Sequence, residues 1–313
     1  MILDMGLVVA GLLALLLAGD VIVRGAVNLA LRLGIPAMMV GMTVVAFGTS
    51  APELLVAVQA VLRDADGLAL GNVVGSNIAN ILLVIGLPAL IAPMVMERES
   101  LRDYLIMLAA TALFGALALT GAIGLWQALV LLVAFGLFMA DSIRRARRDR
   151  IAPEDLEGAD PNLAAPKLVL FLGLGIVGLP LGAHLLVTGS VNIAEALGVS
   201  DVVIGLTIVA IGTSLPELAT TVMAAWRREG GVALGNILGS NIFNLLLILG
   251  VAGLFGRIDV PPQVMALDFW VMAAAAVLIA PLVWAGRSLG PALGAILLIA
   301  YASYLWSLVP SGG

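Results

Sequence analysis

Long apolar runs separated by short polar connections set the pattern of the chain. They cover approximately 3–33, 36–62, 67–91, 101–119 and 123–142, then 167–197, 200–227, 231–254, 265–284 and 290–308. Each has the length of roughly 20 residues that a helix needs to cross a hydrocarbon core about 30 Å thick. Lipid offers the backbone no hydrogen bonds, so such runs close their bonds internally as helices. The pattern predicts an all-α polytopic membrane protein with ten transmembrane helices, five in each half. The first run follows Asp4 instead of a basic stretch and continues amphipathically to about Leu33. It reads as a first transmembrane helix and not as a cleaved signal peptide.

The polar positions inside these runs repeat. GMTVVAFGTSAPELLV at 41–56 matches GLTIVAIGTSLPELAT at 205–220, and LGNVVGSNIANILLVIG at 70–86 matches LGNILGSNIFNLLLILG at 234–250. Ten of 16 and eleven of 17 positions are identical, at a constant offset of 164 residues. An odd number of helices per half sets the two copies in opposite membrane orientations, the inverted-repeat plan of many secondary transporters. The expected organisation is a first five-helix repeat over 1–142 (motif 41–86), a linker over 143–166, and a second repeat over 167–313 (motif 205–250).

Charge placement checks this count, because cytosolic connections are enriched in Lys and Arg. With RRARRDR at 144–150 in the cytosol, 13 of the 15 basic residues fall on or near that side; only Arg63 and Arg257 fall outside. Both termini are then extracytoplasmic, and the 143–166 loop is a cytosolic connection too short for a folded domain. Composition agrees with a bilayer setting: 62% of residues are apolar and 11% charged, against about 25% charged in a soluble domain. Mean hydropathy is +1.16. With no Cys and one His, disulfides, thiolate sites and multi-histidine metal sites are excluded.

The candidate chemistry lies in the repeated motifs. Glu53 in GTSAPE and Glu217 in GTSLPE stand within apolar runs, where an ionisable group costs about 3 kcal/mol or more unless paired. Pro52 lacks a backbone donor and should break its helix. Thr49 and Ser50 can cap the new half-helix, with Ser50-x-x-Glu53 fitting a capping box. The break should free carbonyls near Ala46 and Phe47, which need a partner in lipid. Carbonyls, hydroxyls and one carboxylate per repeat form an all-oxygen set suited to hard cations such as Ca²⁺ or Na⁺. In the following helix Asn72, Ser76 and Asn80 form a polar stripe at four-residue spacing, repeated by Asn236, Ser240 and Asn244. Ser76, Asn80, Ser240 and Asn244 are expected to coordinate the cation; Asn72, Asn77, Asn236 and Asn241 could do so or serve as hydrogen-bonding glue. Gly71-x-x-x-Gly75 and Gly235-x-x-x-Gly239 fit close helix packing. Glu195, Asp201 and Asp268 read as solvated groups near helix ends, His184 as an interfacial or satisfied residue, and the five Trp as interfacial belts.

The paired GTSAPE and GTSLPE, followed by GNVVGSNIAN and GNILGSNIFN, resemble the alpha repeats of the cation/calcium exchanger superfamily. The likeness spans both halves and is nearest to the sodium/calcium exchangers of prokaryotic type. The resemblance implies eight core helices around the site, with two long tilted helices, the first and the sixth, that slide to alternate access. It also implies that Glu53 and Glu217 bind Ca²⁺ and share in Na⁺ binding. Thr49, Ser50, Ser76, Thr213, Ser214 and Ser240 would supply hydroxyls, Ala46 and Ala210 carbonyls, and Asn80 and Asn244 would sit between the glutamates. Some relatives, notably potassium-dependent ones, carry Asp where this chain has Asn80 or Asn244, which disfavours potassium as a co-substrate.

The expected activity is antiport of sodium for calcium by alternating access. The alternative is proton/calcium exchange on the same two glutamates; a channel or a scaffold is the more distant reading. No nucleophile–base constellation or nucleotide loop is present, so neither an enzyme nor a resident cofactor is expected. Expected partners are the transported Ca²⁺ and Na⁺ and the lipid bilayer of a prokaryotic inner membrane, not nucleic acid. A monomer is the expected functional unit.

Overall fold

A computed structural model describes residues 2–95, 100–148, 160, 162–197 and 210–308. Most of the apolar runs become single long helices: α1 (Ile2–Leu33), α4 (Asp66–Ile91), α5 (Leu101–Ala118), α6 (Leu125–Arg148), α7 (Ala165–Ala196), α9 (Gly230–Phe255), α10 (Val264–Ala285) and α11 (Pro291–Leu308). Between α1 and α4 the run breaks at Ser50 into α2 (Ala37–Thr49) and α3 (Ala51–Val61), bent by 44°. The matching break in the second half lies between a short helical piece, Ala210–Gly212, and α8 (Leu215–Trp226).

Eight described helices are long and apolar enough to span a membrane, and the bent α2–α3 pair would add a ninth. Of the expected run 200–227, and of the motif beginning at Gly205, residues up to 209 lie outside the described residues. Residues 149–159 and 161 of the expected linker, and Asp201, lie outside them as well. The helix expected over 123–142 runs further, because α6 continues to Arg148. Arg145 holds that extension. Its guanidinium makes a two-pronged contact to Asp103 on α5 (2.5 and 3.1 Å) and reaches Asp141 at 3.1 Å.

Two short antiparallel ladders mark the ends of the bundle. Strand β1 (Met94–Val95) pairs with β4 (Ser288–Leu289), and β2 (Ala122–Ile123) pairs with β3 (Ile258–Asp259). Since β1 precedes and β2 follows the 18-residue α5, about 27 Å long at 1.5 Å per residue, the ladders cap opposite ends.

Helices α1 and α7 lie antiparallel along a seam of small residues. A Cβ at Gly11 would meet the backbone of Gly182 at 2.7 Å, and one at Gly182 the Leu15 nitrogen at 2.9 Å. The outer faces of this pair carry exposed leucines and valines such as Leu13, Leu17, Val169 and Val177, as a lipid-facing pair would. Helices α4 and α9 are the most enclosed of the long helices, so the polar stripes lie at the centre of the bundle. Among the described residues the second GxxxG packs as expected: a Cβ on Gly235 or Gly239 would strike the Met38 or Met42 carbonyl of α2. Gly71 and Gly75 have no such neighbour among the described residues; the segment at the offset position, 202–206, is outside them.

Candidate cation site

The break in α2–α3 follows from Pro52 at the second helical position of α3, with Ser50 at its N-cap. The expected capping box does not form, and Ser50 makes no side-chain cap bond. Pro52 has no N–H at a position a cap would serve, and the Ser50 hydroxyl is used elsewhere. It donates across the two halves to Glu217 Oε1 at 3.0 Å. The Ala46 carbonyl, expected to be free, accepts from Ser50 N (3.0 Å) and the Thr49 hydroxyl (3.3 Å), since the bent chain keeps one more helical bond than its proline suggests. In the second half Ser214 N bonds to Ile211 O at 3.0 Å, and Ala210 begins the short helical piece.

Around this break, buried oxygens converge. Glu53 is 0% exposed and neither carboxylate oxygen has a hydrogen-bond partner. Glu217 uses Oε1 to accept from Ser50 and Ser240 (3.4 Å), while Oε2 has no partner. Ser76 Oγ, Ser214 Oγ, Asn80 Oδ1 and Asn244 Oδ1 are likewise buried without a partner. Thr49 Oγ1 lies 3.5 Å from Ser240 Oγ and 3.2 Å from Asn236 Oδ1. The half-buried Thr213 lines a cavity with Ser76. Of the expected side-chain ligands, all but Thr213 are thus buried. Ordinary proteins leave few buried polar atoms unbonded; among the described residues most of those here belong to the expected ligands.

Four further contacts, related two by two through the 164-residue offset, hold this set in position. Asn80 Nδ2 donates to Asn241 Oδ1 (3.1 Å), and Asn244 Nδ2 donates to Asn77 Oδ1 (3.3 Å). Each pair spends an amide donor of Asn80 or Asn244 and leaves that residue's Oδ1 as a buried acceptor without a partner. Asn72 and Asn236 reach the Glu53 and Glu217 carbonyls at 3.2 and 3.4 Å. They brace the backbone that carries the acids.

Thr220 was missed by the sequence reading: it is 0% exposed, one turn beyond Glu217, and its hydroxyl has no partner. Its offset position is Val56, so the repeat gave no signal for it. Asp268, expected as a solvated group near a helix end, is half-buried in the first turn of α10 and lines the cavity that reaches Ser76 and Thr213. His184 is exposed on α7, while Asp20 at the matching place on α1 pairs with Arg24 (3.0 Å) and Arg227. All five Trp are exposed and lie near helix ends.

Among the described residues, no three His, Cys, Asp or Glu side chains come together. Two carboxylates with neutral oxygens can bind a hard cation that sheds part of its hydration shell, and they cannot perform redox or thiolate chemistry.

The sequence profile of the family described as sodium/calcium exchanger protein matches residues 3–143 and 167–309. The chain belongs to this family. Within the cation/calcium exchanger superfamily it is of the prokaryotic sodium/calcium exchanger type. This exchanger is 36% identical over 338 residues to sodium/calcium exchanger MaX1 of Methanosarcina acetivorans, covering 94% of this chain and 95% of that one. It is 34% identical over 313 residues to inner membrane protein YrbG of Escherichia coli, covering 98% and 96%. Among solved structures it matches the sodium-calcium exchanger NCX_Mj with a TM-score of 0.85 and 31% identity, covering 98% of this chain and 99% of that one. The two folds are the same through almost their whole length.

Proposed function

We propose that this membrane protein is a secondary antiporter that exchanges Na⁺ for Ca²⁺ by alternating access. The carrying observation is the set of buried oxygens without donors around Glu53 and Glu217. Left unpaired, such atoms are costly to bury, and a dehydrated cation satisfies several at once. Two carboxylates neutralise one Ca²⁺ or two Na⁺, so either load can replace the other without stranding buried charge. The two loads compete for the same oxygens, and two bare acids at membrane depth resist closure. Exchange is then obligatory. The ligand set is Glu53, Glu217, Thr49, Ser50, Ser76, Asn80, Thr213, Ser214, Ser240 and Asn244, with the Ala46 and Ala210 carbonyls.

The scaffold would be ten transmembrane helices in two inverted repeats, 1–142 and 167–313, joined by a cytosolic 143–166 connection. The ladders support this. Strands β1 and β3 stand at the 164-residue offset yet cap opposite ends of the bundle. The glycine seam between α1 and α7 offers a smooth surface for sliding. The arginines at the end of α6 support a cytosolic placement of that end, with both termini extracytoplasmic. The name of YrbG supports an inner-membrane location, and the names of MaX1 and NCX_Mj support the ion pair. A single chain supplies both halves of the site, which favours a functional monomer.

Reconstitution in proteoliposomes tests the reading. An outward Na⁺ gradient at fixed pH should drive ⁴⁵Ca²⁺ uptake, and Glu53→Gln or Glu217→Gln should abolish it. Uptake that needs only a pH gradient would replace sodium by protons as the counter-ion.

A further inference from the structure

A cavity of about 540 Å³ leads from the end of the bundle capped by β2 and β3 to the Glu53 half of the site. Gly67, Pro261 and Gln263 line its outer part, and Ser76 and Thr213 its inner part. Among the described residues one acid stands in its wall. Asp268 is the last residue of a π-helical turn, Val264–Asp268, that opens α10. It is four residues into that helix and Ser76 is ten into α4, depths of about 6 and 15 Å at 1.5 Å per residue. The carboxylate is therefore part-way between the mouth and the ligands.

Among the described residues no Lys or Arg pairs with Asp268; its one hydrogen bond is from the Tyr304 hydroxyl to Oδ1 at 3.0 Å. A lone carboxylate inside a membrane span is destabilising unless it has a task. By contrast, Asp20, Asp103, Asp141 and Asp259 are each paired with an arginine. The offset position in the first half is Tyr104, whose hydroxyl donates to the Ala276 carbonyl at 2.8 Å. The acid thus has no acidic counterpart at the offset position.

We propose that Asp268 is the approach residue of this route: a carboxylate that draws hydrated Ca²⁺ and Na⁺ into the cavity and passes them to Glu53, without itself being a ligand of the bound ion. A charge in a low-dielectric cleft focuses the field and raises local cation concentration. Its removal acts on the association rate and its salt dependence, whereas loss of a ligand acts on dissociation. This rests on the antiporter reading and adds to it a residue, a route and a kinetic role.

The test measures Ca²⁺ dissociation from the purified full chain by stopped-flow chelator trapping, together with equilibrium affinity, to give the association rate constant. Asp268→Asn should lower association about tenfold and flatten its dependence on ionic strength, leave dissociation within about twofold, and spare the maximal transport rate. Asp268→Glu should restore association. Tyr304→Phe removes the hydrogen bond but keeps the charge, and should stay close to the unsubstituted protein. An unchanged association rate in a monodisperse Asp268→Asn protein overturns the proposal. So does faster dissociation alone, or an equal defect in Tyr304→Phe. Should Glu53→Gln and Glu217→Gln keep Ca²⁺ transport, the antiporter site itself fails, whatever Asp268→Asn does.

Discussion

The amide pairs behind the site make the sharpest mutational case. Asn244 is 0% exposed and its Nδ2 donates to Asn77 Oδ1 at 3.3 Å, which leaves its own Oδ1 as an acceptor without a partner. Replacing Asn77 by Leu keeps a similar volume and removes that acceptor. The Asn244 amide then loses a neutral hydrogen bond worth about 1 kcal/mol and strands a buried donor at about 1–3 kcal/mol. The relaxed response is a rotation of the amide, which turns Nδ2 toward the place where the cation binds. With about 1.4 kcal/mol per tenfold in affinity, half-saturation for Ca²⁺ should rise between about ten- and a hundredfold, as for outer-shell partners of metal ligands. Asn241→Leu should do the same through Asn80, whose Nδ2 sits 3.1 Å from Asn241 Oδ1. The assay is Na⁺-driven ⁴⁵Ca²⁺ uptake against external Ca²⁺ with a matched measure of folded protein. Two folded variants with unchanged half-saturation would refute the claim that these pairs aim the site oxygens.

Other substitutions test the frame around the site. Gly239→Ala places a methyl against the Met42 carbonyl and should lower thermal stability in detergent by about 1–3 kcal/mol; Gly6→Ala, with nothing within 4 Å, is the control. Arg145→Met should destabilise by about 3–5 kcal/mol by leaving a buried acid unpaired, because the Asp103 side chain is only 4% exposed; Arg145→Met with Asp103→Leu should recover much of the loss. If a third Na⁺ enters against two carboxylates, each cycle carries one net charge. A clamped potential should then shift the driving force by about 2.3 kcal/mol per 100 mV, and a flux indifferent to potential would indicate two. With Asn at both 80 and 244, Na⁺-driven uptake should proceed undiminished in potassium-free medium.

The motifs were legible because they break two strong rules. Acids and prolines in apolar runs are costly in a bilayer, and a constant offset made each conspicuous. Residues that obey no repeat were harder to see. Thr220 faces Val56 in the alignment, and Asp268 faces Tyr104, so internal similarity was silent about both. Asp268 also lies close to a helix end, where a snorkelling acid and a cavity-lining acid look alike in sequence. The failed capping box at Ser50 has another cause. A local pattern satisfied the spacing rule, while a partner 167 residues away, Glu217, took the hydroxyl. Spacing likewise could not separate Asn72 and Asn236, which hold backbone carbonyls, from Asn80 and Asn244, because Asn72 shares a helical stripe with Asn80, and Asn236 with Asn244. The difference depends on which neighbour reaches the amide first.

The most direct test of the cation cradle is equilibrium ⁴⁵Ca²⁺ binding to the purified protein, with Na⁺ as competitor. The account predicts one Ca²⁺ per chain, displaced by Na⁺, with binding lost in both Glu53→Gln and Glu217→Gln. Undiminished binding in a folded Glu53→Gln/Glu217→Gln double variant would contradict it.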